Sequence, residues 1–314
     1  MSPISNSPHS VILIVGPGDE TFQADVSSGE DAFERNNIRY TIIGDGLNNC
    51  TDKMISHGIA RHAKGWTGED VSVIMSAHGA DQWGEHALKL VRKQPFQPTE
   101  VFIRKHLVNV DSIGNESLEA RLGERISLQS QMNDTLPALS SHPPKIDLFV
   151  SSCCSTLLLP CAKLLPEHST LVGTADGPAW SPDLQDVFLS LSARSVEHPC
   201  DFSAHSLMAE HLLVTERKPD GGRYPPSYAV STTTGSGERS CSFHHPHEQL
   251  FHRVGSAFTD GEEKRARATW GQRMGTDRLA AVLAAIGGGD SEDPLLGIQD
   301  EDYMPALLVC DAAY

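Results

Sequence analysis

Val71-Ser72-Val73-Ile74-Met75-Ser76-Ala77-His78-Gly79-Ala80 is the stretch on which the reading of the fold turns. Residues 71–75 are an apolar, largely β-branched run of strand length, and the run stops on a titratable side chain followed by glycine. A second stretch has the same form: Ile146-Asp147-Leu148-Phe149-Val150-Ser151-Ser152-Cys153-Cys154-Ser155. It too is a short apolar run, and it ends on small polar residues and two adjacent cysteines. In open α/β sheets, sites collect at the carboxyl ends of strands. A histidine at one such end and a cysteine at another are the minimum for thiolate catalysis.

Outward from these two stretches the chain alternates. Residues 11–15 read as a buried strand closed by the turn Gly16-Pro17-Gly18. Residues 30–37 read as the end of a helix, and residues 40–43 as a second strand stopped by Gly44-Asp45-Gly46. Residues 51–63 carry Met54, Ile55, Ile59 and Ala63 near helical spacing, with Thr51 as N-cap. Residues 155–165 read as a helix, and residues 170–172 as a strand ending at Gly173. This alternation predicts an α/β fold: a mostly parallel central sheet with helices on both faces.

The segment between the two opening stretches includes residues 101–110 and a polar stretch, 116–132, with Leu118, Leu122, Ile126 and Leu128 at roughly helical spacing. It is broken by Ser140-Ser141-His142-Pro143-Pro144. The second half is less regular. Residues 218–226 are rich in Gly and Pro, residues 228–234 read as a further strand, and residues 262–286 as a late helix closed by Gly287-Gly288-Gly289.

Composition narrows the function. With 39% hydrophobic and 21% charged residues, 314 residues suffice for a sizeable core. The formal charge is -16, from 41 acidic and 25 basic residues, which repels nucleic acid and anionic membranes; neither is an expected partner. No apolar run reaches the roughly 18 residues of a membrane span, and residues 1–10 lack the Lys or Arg of a secretory leader. Seven cysteines without a C-x-x-C pair argue against a disulfide framework and for a reducing, cytoplasmic setting.

The chemistry follows from the residue types. A cysteine nucleophile needs a base and donors for the oxyanion of its tetrahedral intermediate. His78 would be the base. Gly79, without Cβ, lets a scissile carbonyl approach its backbone N–H. The N–H of Cys153 would be the second donor, strengthened by a helix starting just after it with Ser155 as N-cap.

Together, Ala77-His78-Gly79-Ala80 and Phe149-Val150-Ser151-Ser152-Cys153 resemble the caspase-like cysteine peptidases: caspases, legumain, clostripain and gingipain. The resemblance covers roughly residues 10–180. It is nearest to the legumain form, because His-Gly-Ala is usual there and Gln23-Ala24-Asp25-Val26 is similar to the legumain start. It implies a three-layer α/β/α sandwich and a His-Cys dyad that cleaves polypeptides through a thioester, with no cofactor. It also implies a peptidase domain at 1–200 with an insertion at about 90–144. Residues 201–314 would then be a C-terminal extension that completes the sheet and adds helices.

Four departures qualify the resemblance. Ser152 stands where Ala or Gly usually precedes the nucleophile. Aligning the apolar block selects Cys153, whereas a shift of one residue selects Cys154. The Arg that helps legumains bind asparagine falls on Thr21, so asparagine specificity does not carry over. The spacer of 75 residues from His78 to Cys153, longer than in caspases, would be a lid, a partner surface or a self-cleavage loop.

Other residues are secondary candidates. Asp176 falls where this fold shapes its specificity pocket, and an acid there would suit a basic P1 side chain. Asp19 would orient His78 or cap a helix. His86 lies in a polar stretch that reads as a solvated loop within reach of substrate. His57-Gly58 lies inside a helical pattern and reads as structural. Cys241, His244, His245, His247 and His252 form a dense cluster, but their spacing matches no standard zinc site, and they read as a solvated loop. The same residues also fit a silent binding module on this fold, or another thiol-dependent hydrolase or acyltransferase.

Overall fold

The apolar run at residues 11–15 becomes β1 (His9–Val15), buried along its whole length. It is followed by α1 (Glu20–Arg35), β2 (Arg39–Ile43) and α2 (Asp52–Lys64). Next come β3 (Asp70–Ser76), β4 (His78–Gln82), β5 (Glu85–Lys89), β6 (Gln97–Pro98), α3 (Thr99–His106) and α4 (Leu118–Met132). The remaining strands are β7 (Ile146–Ser151), β8 (Thr170–Thr174), β9 (Tyr228–Thr233), β10 (Arg239–His245) and β11 (Glu248–Val254). The computed structural model describes residues 9–18, 20–82, 85–108, 116–132, 145–151, 161, 164–166, 169–174, 228–233, 239–245 and 248–254. The helices read at 155–165 and 262–286 fall wholly or largely outside the described residues.

Eight strands form one sheet in the order β11-β10-β9-β8-β7-β3-β1-β2. The five from β2 to β8 are parallel, and β9, β10 and β11 add on antiparallel. Five strands read from apolar runs therefore supply the whole parallel half. β1 and β3 are interior strands buried on both faces, which is why they read as apolar runs rather than alternating ones.

Helices cover both faces. Val11, Leu13, Val15, Ile74 and Phe149 pack with Phe22 and Phe33 of α1. Ile12, Ile14, Val73 and Met75 point the other way, into a larger core with Ile55 and Ile59 of α2, Phe102 of α3 and Leu122 of α4. The alternation of odd and even positions along β1 between two cores is the period-2 geometry of a strand. Burying such side chains contributes about 1.5–3 kcal/mol each.

Two element boundaries have local causes. Thr51 keeps extended backbone, and its Oγ1 accepts from Met54 N at 3.4 Å, which caps α2. At the end of β2, Gly44 has φ +91°, and a Cβ there would lie 2.0 Å from the Val15 carbonyl oxygen. Only glycine fits that turn.

The amino ends of the strands are braced by polar groups. Arg39 pairs with the buried Glu69 and donates to His62 Nε2 at 2.9 Å. That makes Nε2 an acceptor, so Nδ1 carries the proton and donates to Thr41 Oγ1 at 3.1 Å. His62 is thus neutral, and burial beside Arg39 pushes its pKa well down.

Two features differ from the sequence reading. Residues 78–98, read without strands, hold a three-stranded sheet in the order β4-β5-β6. The Cys241–His252 cluster, read as a solvated loop, lies on the β10–β11 hairpin, where Ser242 pairs with His252 and Cys241 with Arg253. Both segments are short and rich in polar residues, and cross-strand pairing rather than intrinsic pattern makes them strands.

Candidate functional site

Strand order builds the site. The chain leaves β1 for β2 on one side and then crosses to β3 on the other, so the direction of winding reverses between β1 and β3. A crevice opens at the carboxyl ends of strands at such a switch point. The register aligns those ends: Val15 pairs with Ser76, and Ser76 with Ser151. His78 follows Ser76 by two residues, as Cys153 follows Ser151 by two.

His78 opens β4, one residue after β3 ends, at the hinge between the large and small sheets. It is partly exposed, whereas its neighbours Ala77 and Gly79 are buried. Phe22 of α1 stands edge-on to the His78 imidazole, with ring centroids 4.9 Å apart and planes at 61°. Across the β4–β5 ladder His78 pairs with Lys89 and Gly79 with Leu88. Lys89 Nζ in turn donates to Gln94 O at 2.7 Å and lies over the Phe96 ring at 4.9 Å.

The loop after β1 is stitched to the same end of the sheet. Gly16 N donates to Ser76 O at 2.8 Å, and Gly18 N to Gly46 O at 2.8 Å. Arg92, in the turn between β5 and β6, donates to Gly18 O at 2.9 Å. Beneath this loop, Ser76 Oγ donates to the Asp25 carboxylate at 2.6 Å, with both residues fully buried. Asp25 belongs to the stretch Gln23-Ala24-Asp25-Val26, but its position within the site was not read from sequence. The available signal was its place in the buried stripe of α1, after Phe22 and before Gly29, Ala32 and Phe33.

The other candidates separate. His86, read as a solvated loop residue, lies in β5 and is only 3% exposed. Its Nδ1 sits 2.5 Å from Thr99 Oγ1, and burial pushes its pKa down to about 3. That ring is a core group at the root of α3 and offers substrate no open surface. Its segment read as polar because the apolar partners that bury it come from elsewhere in the chain. His57 is exposed on α2, and Gly58 packs against Ile43, so this second His-Gly pair lies within a helix and not at a strand end. Asp19, Cys153, Cys154, Asp176 and His247 lie outside the described residues. Among the described residues no group of three or more His, Cys, Asp or Glu side chains is disposed to hold a metal ion. Cys50 is buried, and its thiol is pushed up to about 12 by desolvation, so it is an inert core thiol.

A cavity of about 280 Å³ is lined by Cys50, Asp52, Leu90, Gln94 and Gln97 among others, from the start of α2 and the segment after β5. Asp52 in its wall is engaged by Lys105 at 2.6 Å and His106 at 3.1 Å, and its carboxyl is held below the usual range against the opposing effect of burial. Among the described residues, no helix is long and apolar enough to cross a membrane.

No family model and no curated protein matches the chain. Among solved structures it is similar to a secreted C11 cysteine protease from Bacteroides thetaiotaomicron, "iotapain", with 11% identity and a TM-score of 0.36. The match covers 71% of this chain and 66% of that one, just short of two thirds of its length.

Proposed function

We propose that the chain is a caspase-like cysteine peptidase in which His78 is the general base and acid and Cys153 the nucleophile. One observation carries the reading: Ser76 and Ser151 are paired residues at the ends of adjacent parallel strands, and the two reactive residues follow them at equal distance in sequence. Adjacent strands are about 5 Å apart, and two residues of chain span at most about 7 Å. A dyad at these positions is therefore within reach of one scissile bond. The motifs Ala77-His78-Gly79-Ala80 and Ser151-Ser152-Cys153 resemble those of the family in the same order along the chain.

In this reading His78 takes the thiol proton of Cys153 as sulfur attacks the peptide carbonyl. The N–H groups of Gly79 and Cys153 receive the oxyanion. His78 then protonates the departing amine, and water, activated by the same imidazole, hydrolyses the thioester. No cofactor enters. The substrate is a polypeptide in a reducing, cytoplasmic setting, and the spacer between His78 and Cys153 is a candidate for self-processing.

The test uses a library of peptidyl electrophiles and mass spectrometry of the full-length chain. Selective labelling at Cys153, lost in His78→Ala, is the expected result. Labelling at Cys154 alone moves the nucleophile by one residue. Labelling indifferent to His78→Ala refutes the dyad and favours a silent binding module.

A further inference from the structure

α1 turns two unlike side chains, one helical turn apart, toward the end of β3. Phe22 packs edge-on to the His78 ring with centroids 4.9 Å apart, and Asp25 accepts from Ser76 Oγ at 2.6 Å, two residues before His78. Phe22 is 3% exposed and Asp25 fully buried. Gly18 completes the arrangement. A Cβ on it would lie 2.0 Å from a ring carbon of Phe22, and Gly18 is held in place by its bond to Gly46 O. The Phe22 ring is therefore seated between a glycine that must have no side chain and the imidazole.

This arrangement is more than packing requires. A carboxylate in the apolar stripe of a helix is costly to bury, and a hydrocarbon would serve the core better. The terminal torsion of a histidine is broad, so the plane of its ring is set by what packs against it. An edge-to-face aromatic partner selects one plane. A hydrogen bond that the carboxylate accepts from Ser76 at the strand end fixes the backbone from which that ring projects.

We infer that Phe22 and Asp25 are positioning residues for His78: Phe22 holds the plane of the imidazole, Asp25 anchors the end of β3 through Ser76, and Gly18 makes room for the Phe22 ring. The inference rests on His78 acting as base for the cysteine at the neighbouring strand end. Both residues act through the orientation in which His78 meets the thiol.

The experiment follows alkylation of the full-length chain by iodoacetamide, site by site by mass spectrometry, between pH 5 and 9, with melting temperatures measured alongside. His78→Ala should reduce the reactive cysteine to the profile of an ordinary thiol with a pKa near 8.5. Phe22→Leu and Gly18→Ala should each slow alkylation near pH 6.5 by roughly three- to tenfold, the worth of one aromatic pair. The double variant Phe22→Leu/Gly18→Ala should be no slower than Phe22→Leu, because Gly18 acts only through the ring. Asp25→Asn keeps an acceptor for Ser76 and should react nearly as the parent does, whereas Asp25→Ala should be slowed.

Wild-type profiles in Phe22→Leu and Gly18→Ala beside a collapsed His78→Ala profile overturn the positioning role and leave the dyad standing. A wild-type profile in His78→Ala overturns both. Slowing that tracks loss of the folded state in both Phe22→Leu and Gly18→Ala assigns Phe22 to folding and also overturns the inference.

Discussion

Replacing Asp147 by Asn should make the protein more stable at neutral pH and no more stable near pH 4. Asp147 lies inside β7 and is 1% exposed. Its nearest cation, Lys145 Nζ, stands 3.4 Å from Oδ1, at the long end of hydrogen-bonding range, and Asp70 nearby adds negative charge. Desolvation outweighs the ion pair and pushes the carboxyl up from 3.8 to about 6. A shift of about two pKa units corresponds to about 3 kcal/mol. The folded state holds the proton more tightly than the unfolded chain, so stability falls as pH rises from about 4 to about 6. The penalty is fully present above that window and absent below it. Asparagine never ionises. Urea unfolding of both proteins from pH 4 to 8 should show the variant gaining about 1–3 kcal/mol over the parent across this window. A deficit of constant size at every pH would refute the reasoning, because it would mean that the Lys145 pair, not the buried charge, governs this position.

Three further outcomes are expected. Gly44→Ala should cost more than about 2 kcal/mol, because it forces a Cβ into φ +91° and onto the Val15 carbonyl; Gly123→Ala, where a Cβ meets nothing within 4 Å on α4, should gain about 0.5–1 kcal/mol, and thermal melts of the pair will show opposite signs. Glu69→Ala should cost about 2–3 kcal/mol in urea unfolding at pH 7, since it strips Arg39, Thr67 N and Thr67 Oγ1 of their shared acceptor; a loss under about 0.5 kcal/mol would show the brace to be dispensable. His86→Gln should flatten the acid limb of stability. The parent ring is held neutral down to about pH 3 in the fold but protonates near 6.5 when unfolded, so the parent loses up to about 3 kcal/mol between pH 6.5 and 4 that the variant does not.

Much of the fold was legible because the parallel strands are buried on both faces. Residues 11–15, 71–75 and 146–150 read as strands for the same reason that they pack: two helical layers exclude water from every residue, so these runs are hydrocarbon except at Ser72 and Asp147. Thr51 was legible as a cap because its interaction with Met54 N is local. His86 was misread because its burial comes from partners distant in sequence and its neighbours look polar. The β10–β11 hairpin was misread because histidine and serine obscure a pairing that only the partner strand reveals. Asp25 went unassigned for a related reason: an acid in a helix is ordinary until the strand beneath it is known.

The sequence by itself determined the alternation of strands and helices and the placement of His78-Gly79 at the end of an apolar strand, because both depend on local hydrophobic period and on turn residues. Tertiary structure decided which strands are neighbours. The order β7-β3-β1-β2 and the register of Ser76 with Ser151 arise from crossovers and packing between segments far apart in the chain. It also decided what surrounds His78, with Phe22 against its ring and Asp25 under Ser76, since those contacts exist only once α1 lies across the sheet.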